Sequence, residues 1–131
     1  MLYTGETFHK SERLCSKKII DTLFENGKSF YCNPFLIVWS YTSEEIPFPA
    51  QVAFSVPKKT FRHAVTRNLI KRRMREAYRK NKALLYNHLS SAGKKIVFTI
   101  IYREKEVSDY VQTEKGVKQI VGYFVNTIDI S

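Results

Sequence analysis

The stretch HAVTRNLIKRRMREAYRKNKALLYNHL, residues 63–89, has the periodicity of a long amphipathic helix. On a helical wheel its larger apolar residues share one arc of about 120°, and polar and cationic residues occupy the adjoining arc. The sequence therefore predicts a helix that packs on the domain with one side and faces a partner with the other. The apolar arc holds Ile70, Met74, Ala77, Tyr78, Leu84 and Leu85, and the cationic arc holds Asn68, Lys71, Arg72, Arg75, Arg79 and Lys82, with Arg67 at the border.

The positive charge of the chain is concentrated in residues 58–82. This segment holds eleven Lys and Arg against one acid, Glu76, and its net charge of +10 equals that of the whole chain. Such a concentration is typical of proteins that bind a polyanion, most often nucleic acid, because each cation that neutralises a phosphate releases counterions. A solvated helix face is the alternative, but such faces usually mix charges of both signs. The charge pattern therefore indicates a nucleic-acid partner.

Outward from this helix, the sequence predicts the order α-β-β-α-β-α, with an extra strand if the first β run is split. Runs rich in aromatic and β-branched residues indicate strands, and i, i+3, i+4 apolar spacing indicates helices. We expect an α/β or α+β two-layer sandwich with a mixed sheet of about four strands, and residues 1–131 as a single domain. The predicted elements are a helix over residues 16–26 followed by Gly27 with a positive φ, a strand run over 29–41 interrupted near Pro34, a loop over 42–49, strands over 50–56 and 95–102, and a last helix opened by Ser108 or Asp109.

The sequence contains no arrangement typical of protein-centred catalysis: no Ser/His/Asp or Cys/His set, no phosphate-binding glycine loop and no spaced carboxylate pair. The two cysteines, Cys15 and Cys32, are expected to be reduced and structural, and the three histidines lack a metal-ligand spacing. The longest apolar run, residues 35–39, is too short to span a bilayer. A soluble cytoplasmic protein is expected, and any bond breaking would be done by another molecule.

Aromatic residues cluster where the first helix is predicted to meet the sheet. Single-stranded nucleic acid is bound by aromatic faces that stack on bases beside a basic track for the backbone. Aromatic residues in strands are nevertheless buried more often than they bind bases, so core packing is the simpler interpretation for any one of them. The cluster comprises Phe24, Phe30, Tyr31, Phe35 and Trp39.

Two ordered motifs, FSVPKK at residues 54–59 and AVTRNLIKRRMREAYR at residues 64–79, resemble the protein subunit of bacterial ribonuclease P. The similarity extends upstream to Arg13 and Leu14, to Ile20 and Phe24, and to Gly27 and residues 35–38. It implies a left-handed β-α-β crossover and a cytoplasmic subunit that joins a large catalytic RNA. Together they would remove the 5′ leader from precursor tRNA, with Mg²⁺ held mainly by the RNA, no catalytic protein side chain, no membrane and no obligate protein partner.

The resemblance also implies two binding regions. In the basic segment Lys59, Arg67, Asn68, Lys71, Arg72 and Arg75 match the family's RNA-contacting motif, and Lys58, Arg62, Arg73 and Arg79 are added from the same segment. In a groove between the first helix and the sheet, which would bind the leader, Phe24, Val38 and Ser55 match family positions, with Ile20 and Phe35 beside them.

This sequence departs from the family pattern at several positions. Leu69 stands where an arginine is usual, and Ile20 and Val38 stand where aromatic residues occur, so stacking there is weakened. Residues 60–63 replace a small glycine-containing turn. Because Arg73 follows Leu69 by four residues, we hypothesise that Arg73 supplies the RNA contact missing at 69.

Two other classes of function remain open at this point. A ribosomal or other RNA-binding protein with no role in cleavage would carry the same basic helix. A basic helix that docks on an acidic membrane or on a calmodulin-like protein would need a free apolar face. Exposure of Met74 and Tyr78 would favour that class.

Overall fold

The computed structural model describes residues 5–129. The elements are a short 3-10 helix at Lys10–Glu12, α1 at Lys17–Asn26, β1 at Lys28–Cys32, β2 at Phe35–Tyr41, β3 at Ala50–Ser55, α2 at Ala64–Ala92, β4 at Ile96–Tyr102 and α3 at Tyr110–Thr127. The four strands form one mixed sheet in the order β1-β2-β4-β3, with β3 and β4 parallel and the other pairs antiparallel. The predicted α+β sandwich and its element order are confirmed, whereas the left-handed crossover stays a prediction.

The strand run over residues 29–41 is a β-hairpin. β1 ends at Cys32, and the Asn33-Pro34 peptide, which is cis, leads into β2. Proline has no N–H to donate to a strand ladder, and it therefore separates the two strands. The predicted interruption near Pro34 and the extra strand are confirmed.

The two faces of the sheet carry different layers. The larger core, which includes Phe35, Ile37 and Trp39 from β2, packs under α2 and α3. The opposite face carries α1 over a smaller cluster that contains Leu23 and Val38. Since alternate residues of a strand point to opposite faces, β2 contributes to both layers.

Helix α2 is buried along a stripe that changes direction along its length. Met74 and Tyr78 are 0% and 1% exposed, as the apolar arc predicts, but Leu84 is 62% exposed, so its assignment to that arc is wrong. Lys82, predicted on the cationic arc, is also wrongly placed, because it is 4% exposed. The N-terminal segment, residues 6–14, covers this half of the helix and moves the buried stripe toward Lys82.

A buried polar cluster fixes the N-terminal segment to α2. Glu12 is fully buried and accepts hydrogen bonds from Lys82 Nζ at 2.5 Å, Tyr86 Oη at 2.7 Å and the backbone N–H of His9 at 2.6 Å. The Tyr78 hydroxyl donates to Tyr86 Oη at 3.1 Å. Burial raises the pKa of both tyrosines well above their ordinary value, so they remain neutral donors. The carboxylate is thereby paired and fully hydrogen-bonded, as a buried charge requires.

The glycine after α1 serves close packing and not a left-handed turn. Gly27 has φ −73°, so the predicted positive φ is wrong. A Cβ at this position would collide with the Leu23 carbonyl oxygen and would lie 3.0 Å from Val38 Cγ1. The absence of a side chain therefore lets the chain pass from α1 directly into β1. Ser16 caps α1 as predicted, accepting a hydrogen bond from the Ile19 N–H at 3.3 Å.

Gly116 and Gly122 form a matched pair on α3. A Cβ at Gly116 would lie 2.8 Å from the Phe35 ring, whereas nothing lies within 4 Å of a Cβ at Gly122. We expect Gly116→Ala to lower the free energy of unfolding by about 1 to 3 kcal/mol through overpacking. Gly122→Ala should raise it by about 0.5 to 1 kcal/mol through helix propensity. Urea denaturation of both variants tests this, and equal effects would contradict the packing of α3 on β2.

Candidate nucleic-acid interface

The turn between β3 and α2 presents three cations, and its backbone is held in place by hydrogen bonds. Lys58, Lys59 and Arg62 are exposed on this turn, as predicted. The Nη1 of Arg67 donates to the carbonyl oxygens of Phe61 and Arg62 at 2.8 and 2.9 Å. Phe61 is 8% exposed and its ring lies 5.7 Å from that of Tyr102. Arg67 thus stabilises the turn and is also a member of the basic segment.

The first half of α2 continues this positive charge. A shallow concavity of about 420 Å³ is lined by Val65, Asn68, Leu69, Lys71, Arg72 and Arg75, none of which is acidic. A concave surface without acids attracts an anionic backbone and does not repel it at any point. Seven exposed or half-buried polar side chains of the turn and of this half of α2 together form what we call the cationic surface. They are Lys58, Lys59, Arg62, Asn68, Lys71, Arg72 and Arg75.

Arg79 and Arg73 both form hydrogen bonds within the protein. Arg79 is bidentate to Glu76, at 2.6 and 3.1 Å, and donates to the Glu6 carbonyl at 3.2 Å. Its hydrogen bonds hold the pKa of the Glu76 carboxyl below its usual value. Arg73 Nη1 donates to the Ser108 carbonyl at 2.8 Å. Arg73 lies about 160° around the helix from Arg75. One N–H of Arg73 thus has a partner within the protein, and the hypothesis that Arg73 replaces the contact missing at Leu69 stays a prediction.

An open strip of sheet lies beside α1. The register aligns Leu36, Ile101 and Ser55 in one row, and Val38, Thr99 and Ala53 in the next. α1 packs on Val38, which is 8% exposed, while the first row remains half-buried. On the α1 side, the half-buried Ile20 packs on the same cluster as Ala53 and Ile101, and Phe24, 55% exposed, follows Ile20 one turn along the helix. We call this strip, with Ile20 and Phe24, the groove.

The groove and the cationic surface are adjacent through the chain itself. Ser55 ends β3, and Val56 and Pro57 lead directly to Lys58. The groove therefore leads to the cations of the turn at the carboxyl end of β3. Residues of β4 in this strip, Thr99 and Ile101, were not predicted, because only the strand register brings Ile101 beside Ser55 and Thr99 beside Ala53.

Phe35 does not belong to the groove. It is 0% exposed and packs in the core on the opposite face, so its assignment to the groove is wrong. Trp39 is also 0% exposed, and Phe30 stacks on Tyr123 with ring centroids 3.6 Å apart. Phe24 and Tyr31 are the members of the predicted aromatic cluster that remain exposed, at 55% and 56%.

In the described part of the chain, the cysteines and the other side chains that can bind metals form no further site. Cys15 is exposed and Cys32 half-buried, both are free, and burial raises the pKa of the Cys32 thiol. Within residues 5–129, no three His, Cys, Asp or Glu side chains come together as metal ligands do. No helix in the same range has the length and apolar content needed to cross a bilayer.

A one-sided cationic surface that leads into an open strip of sheet defines a basic RNA-binding protein of the α+β class. The sequence profile of the Ribonuclease P family matches residues 8–124, and the chain belongs to this family. It is a tRNA-processing subunit, and the alternative of an RNA-binding protein with no role in cleavage is not supported. Membership implies an RNA subunit as its partner. Met74 and Tyr78 are buried, so the exposure that would favour the membrane or calmodulin-like class is not found at these two residues.

Relatives and solved structures agree with this assignment. The ribonuclease P protein component of Porphyromonas gingivalis is 38% identical over 110 residues, which cover 84% of this chain and 80% of the relative. That of Petrotoga mobilis is 42% identical over 78 residues, covering 60% and 63%. The fold matches the RNase P proteins of Thermotoga maritima, with TM-score 0.67 at 22% identity over 85% and 96% of the two chains, and of Staphylococcus aureus, with TM-score 0.67 at 20% identity over 91% and 98%.

Proposed function

We propose that the cationic surface binds the catalytic RNA subunit and that the groove binds the 5′ leader of precursor tRNA. The observation that carries the proposal is the continuity of the two regions, since Ser55 in the groove is followed after two residues by Lys58 on the cationic surface. A concavity lined by Lys71, Arg72 and Arg75 without any acid supports the assignment of RNA phosphates to α2.

The leader is held by backbone contacts and by limited stacking. Phe24 offers an exposed ring, and the half-buried Ile20 is aliphatic and offers van der Waals contact only. Val38, which the sequence placed in the groove, is covered by α1 and does not reach the leader. Ser55 supplies a hydroxyl that can hydrogen-bond to a phosphate or ribose. Because apolar contact and one ring do not read base edges, little leader sequence preference is expected.

Cleavage in this proposal is carried by the RNA subunit. Mg²⁺, held mainly by that RNA, supplies charge neutralisation and an activated water. The protein contributes no side chain to the reacting phosphate. It anchors the leader and the catalytic RNA to one rigid body, so that less metal is needed to hold the complex together.

The test is reconstitution with the catalytic RNA. The chain should stimulate cleavage of precursor tRNA at low Mg²⁺ and should have little effect at high Mg²⁺, where the metal alone stabilises the RNA. The control is a basic ribosomal protein of similar size and charge. Equal stimulation by both proteins, or none by this chain, would remove the proposal.

Phe24→Ala tests the groove separately. Loss of one stacked base costs about 1 to 3 kcal/mol, so the affinity for precursor tRNA should fall by about 5- to 150-fold. The affinity for mature tRNA, which has no leader, should not change. Leu84→Ala is the control, because Leu84 is 62% exposed and lies far along α2 from the groove. An equal loss for tRNA with and without a leader would contradict leader binding by Phe24.

A further inference from the structure

Within residues 5–129, neither Arg75 of the cationic surface nor Arg13 forms an ion pair with an acid. Arg13 is exposed, and its guanidinium carbon lies 5.8 Å from the centroid of the Phe8 ring. Arg75 is half-buried, and its Nε is enclosed without a hydrogen-bond acceptor among the described residues. A guanidinium N–H that is hidden from water and unpaired is costly unless a ligand supplies the acceptor.

The nearby acids are already used by other cations. Glu12 accepts from Lys82 and Tyr86, and Glu76 from Arg79. In the described range, neither carboxylate forms an ion pair with Arg13 or Arg75. Burial, and then the charge of Arg13, lower the pKa of Arg75 below its usual value. Arg13 lies over Phe8, and Phe8 packs against Tyr78, one helical turn from Arg75, so the two guanidinium groups lie on neighbouring parts of the surface. An anion that contacts both would relieve their mutual repulsion.

The N-terminal segment holds Arg13 in a fixed position. Arg13 forms a parallel β-bridge with Val52 of β3, and the Leu14 N–H donates to the Val52 carbonyl at 2.9 Å. The Phe8 ring packs edge-on against Phe54 and Tyr78, with centroids 6.0 and 5.8 Å apart. A guanidinium stacked on such a ring keeps its N–H edge free for bidentate contact with a phosphate.

We propose that Arg13 and Arg75 together bind one phosphate of the catalytic RNA, so that the N-terminal segment is part of the RNA interface. This rests on the proposed function, because Arg75 also lines the concavity with Lys71 and Arg72. The RNA that lies along α2 is the source of the phosphate, and it would continue past Arg75 to the edge of β3. The ion pair with Lys82 fixes Glu12 in place, and it thereby positions Arg13, the next residue in the chain.

The test compares Arg13→Gln, Arg75→Gln and the double variant for binding to the catalytic RNA over a range of salt. Each single variant should lose about five-fold in affinity near 0.15 M salt, and its log–log salt slope should fall by about 0.7 to 0.9. Because both arginines hold the same phosphate, the log–log salt slope of the double variant should also fall by only about 0.7 to 0.9. A fall of about 1.4 to 1.8 in the salt slope of the double variant would indicate two separate phosphates and would overturn the proposal.

Two further variants complete the design. Arg103→Gln removes an exposed arginine from the loop after β4 and should leave the slope unchanged. Arg13→Lys keeps the charge and should restore the slope but only part of the affinity. If Arg13→Gln binds normally while loss of Lys71 and Arg72 weakens binding, this inference is overturned and the proposed function stands. If neither change weakens binding, the proposed function itself fails.

Discussion

The variant Lys59→Ala/Lys71→Ala/Arg72→Ala should bind the catalytic RNA about 100-fold more weakly at 0.15 M salt than the unmodified chain. Each phosphate contact adds about 0.7 to 0.9 to the salt slope and about five-fold to the affinity at this salt concentration. Three lost contacts therefore multiply to about 100-fold, with a slope smaller by about 2 to 3. Filter binding or fluorescence titration from 0.05 to 0.5 M salt gives both quantities.

The matched control has the same charge change at another surface. Lys105, Lys115 and Lys118 are exposed on or before α3. Their triple alanine variant should change the affinity by only a few-fold through net charge. An equal loss for the two triple variants would mean that overall charge and not the cationic surface binds the RNA.

Lys82→Ala should lower the free energy of unfolding by about 3 to 5 kcal/mol, because it leaves the Glu12 carboxylate buried without its cation. Lys82 and Glu12 are 4% and 0% exposed, so water cannot replace the lost partner without opening the N-terminal segment. Urea denaturation followed by circular dichroism measures the change. The loss should be accompanied by weaker RNA binding, since Arg13 follows Glu12 directly.

Lys80→Ala provides the comparison for Lys82. Lys80 is 3.8 Å from Glu76 in an exposed i, i+4 pair, which contributes about 0.5 kcal/mol or less. The variant Glu12→Gln/Lys82→Met, which removes both charges, should recover part of the stability. A loss below about 1 kcal/mol for Lys82→Ala would contradict the buried ion pair.

Much of the architecture could be predicted from periodicity. The helix over residues 64–92 and the central strand over 96–102 have strong patterns, and both were predicted to within a few residues. Leu84 and Lys82 were misplaced because a helical wheel assumes one buried face along the whole helix. A second covering element, the N-terminal segment, changes which face is buried, and its position depends on tertiary contacts that no local pattern records.

The errors at the candidate site have equally specific causes. Residues 35–39 are apolar throughout, so alternation does not reveal which side of β2 meets α1, and Phe35 was assigned to the wrong face. Ile101 joins the groove only through its pairing with Ser55 and Leu36. The contact of Arg73 with the Ser108 carbonyl joins residues 35 positions apart, so no local pattern could have predicted it. Arg13 carried no signal beyond family similarity, because its importance depends on a neighbour 62 positions away in the printed sequence.

The turn between β3 and α2 fixes the distance between the groove and the cationic surface. Because Arg67 and the buried Phe61 tie residues 57–63 to the domain, the groove and the cationic surface keep a constant spacing. Under the proposed function this spacing is the distance between the leader and the catalytic RNA. A substrate whose single-stranded extension is too short to span that interval would gain nothing from the protein. Progressive shortening of the extension should therefore reveal a length threshold and not a gradual decline.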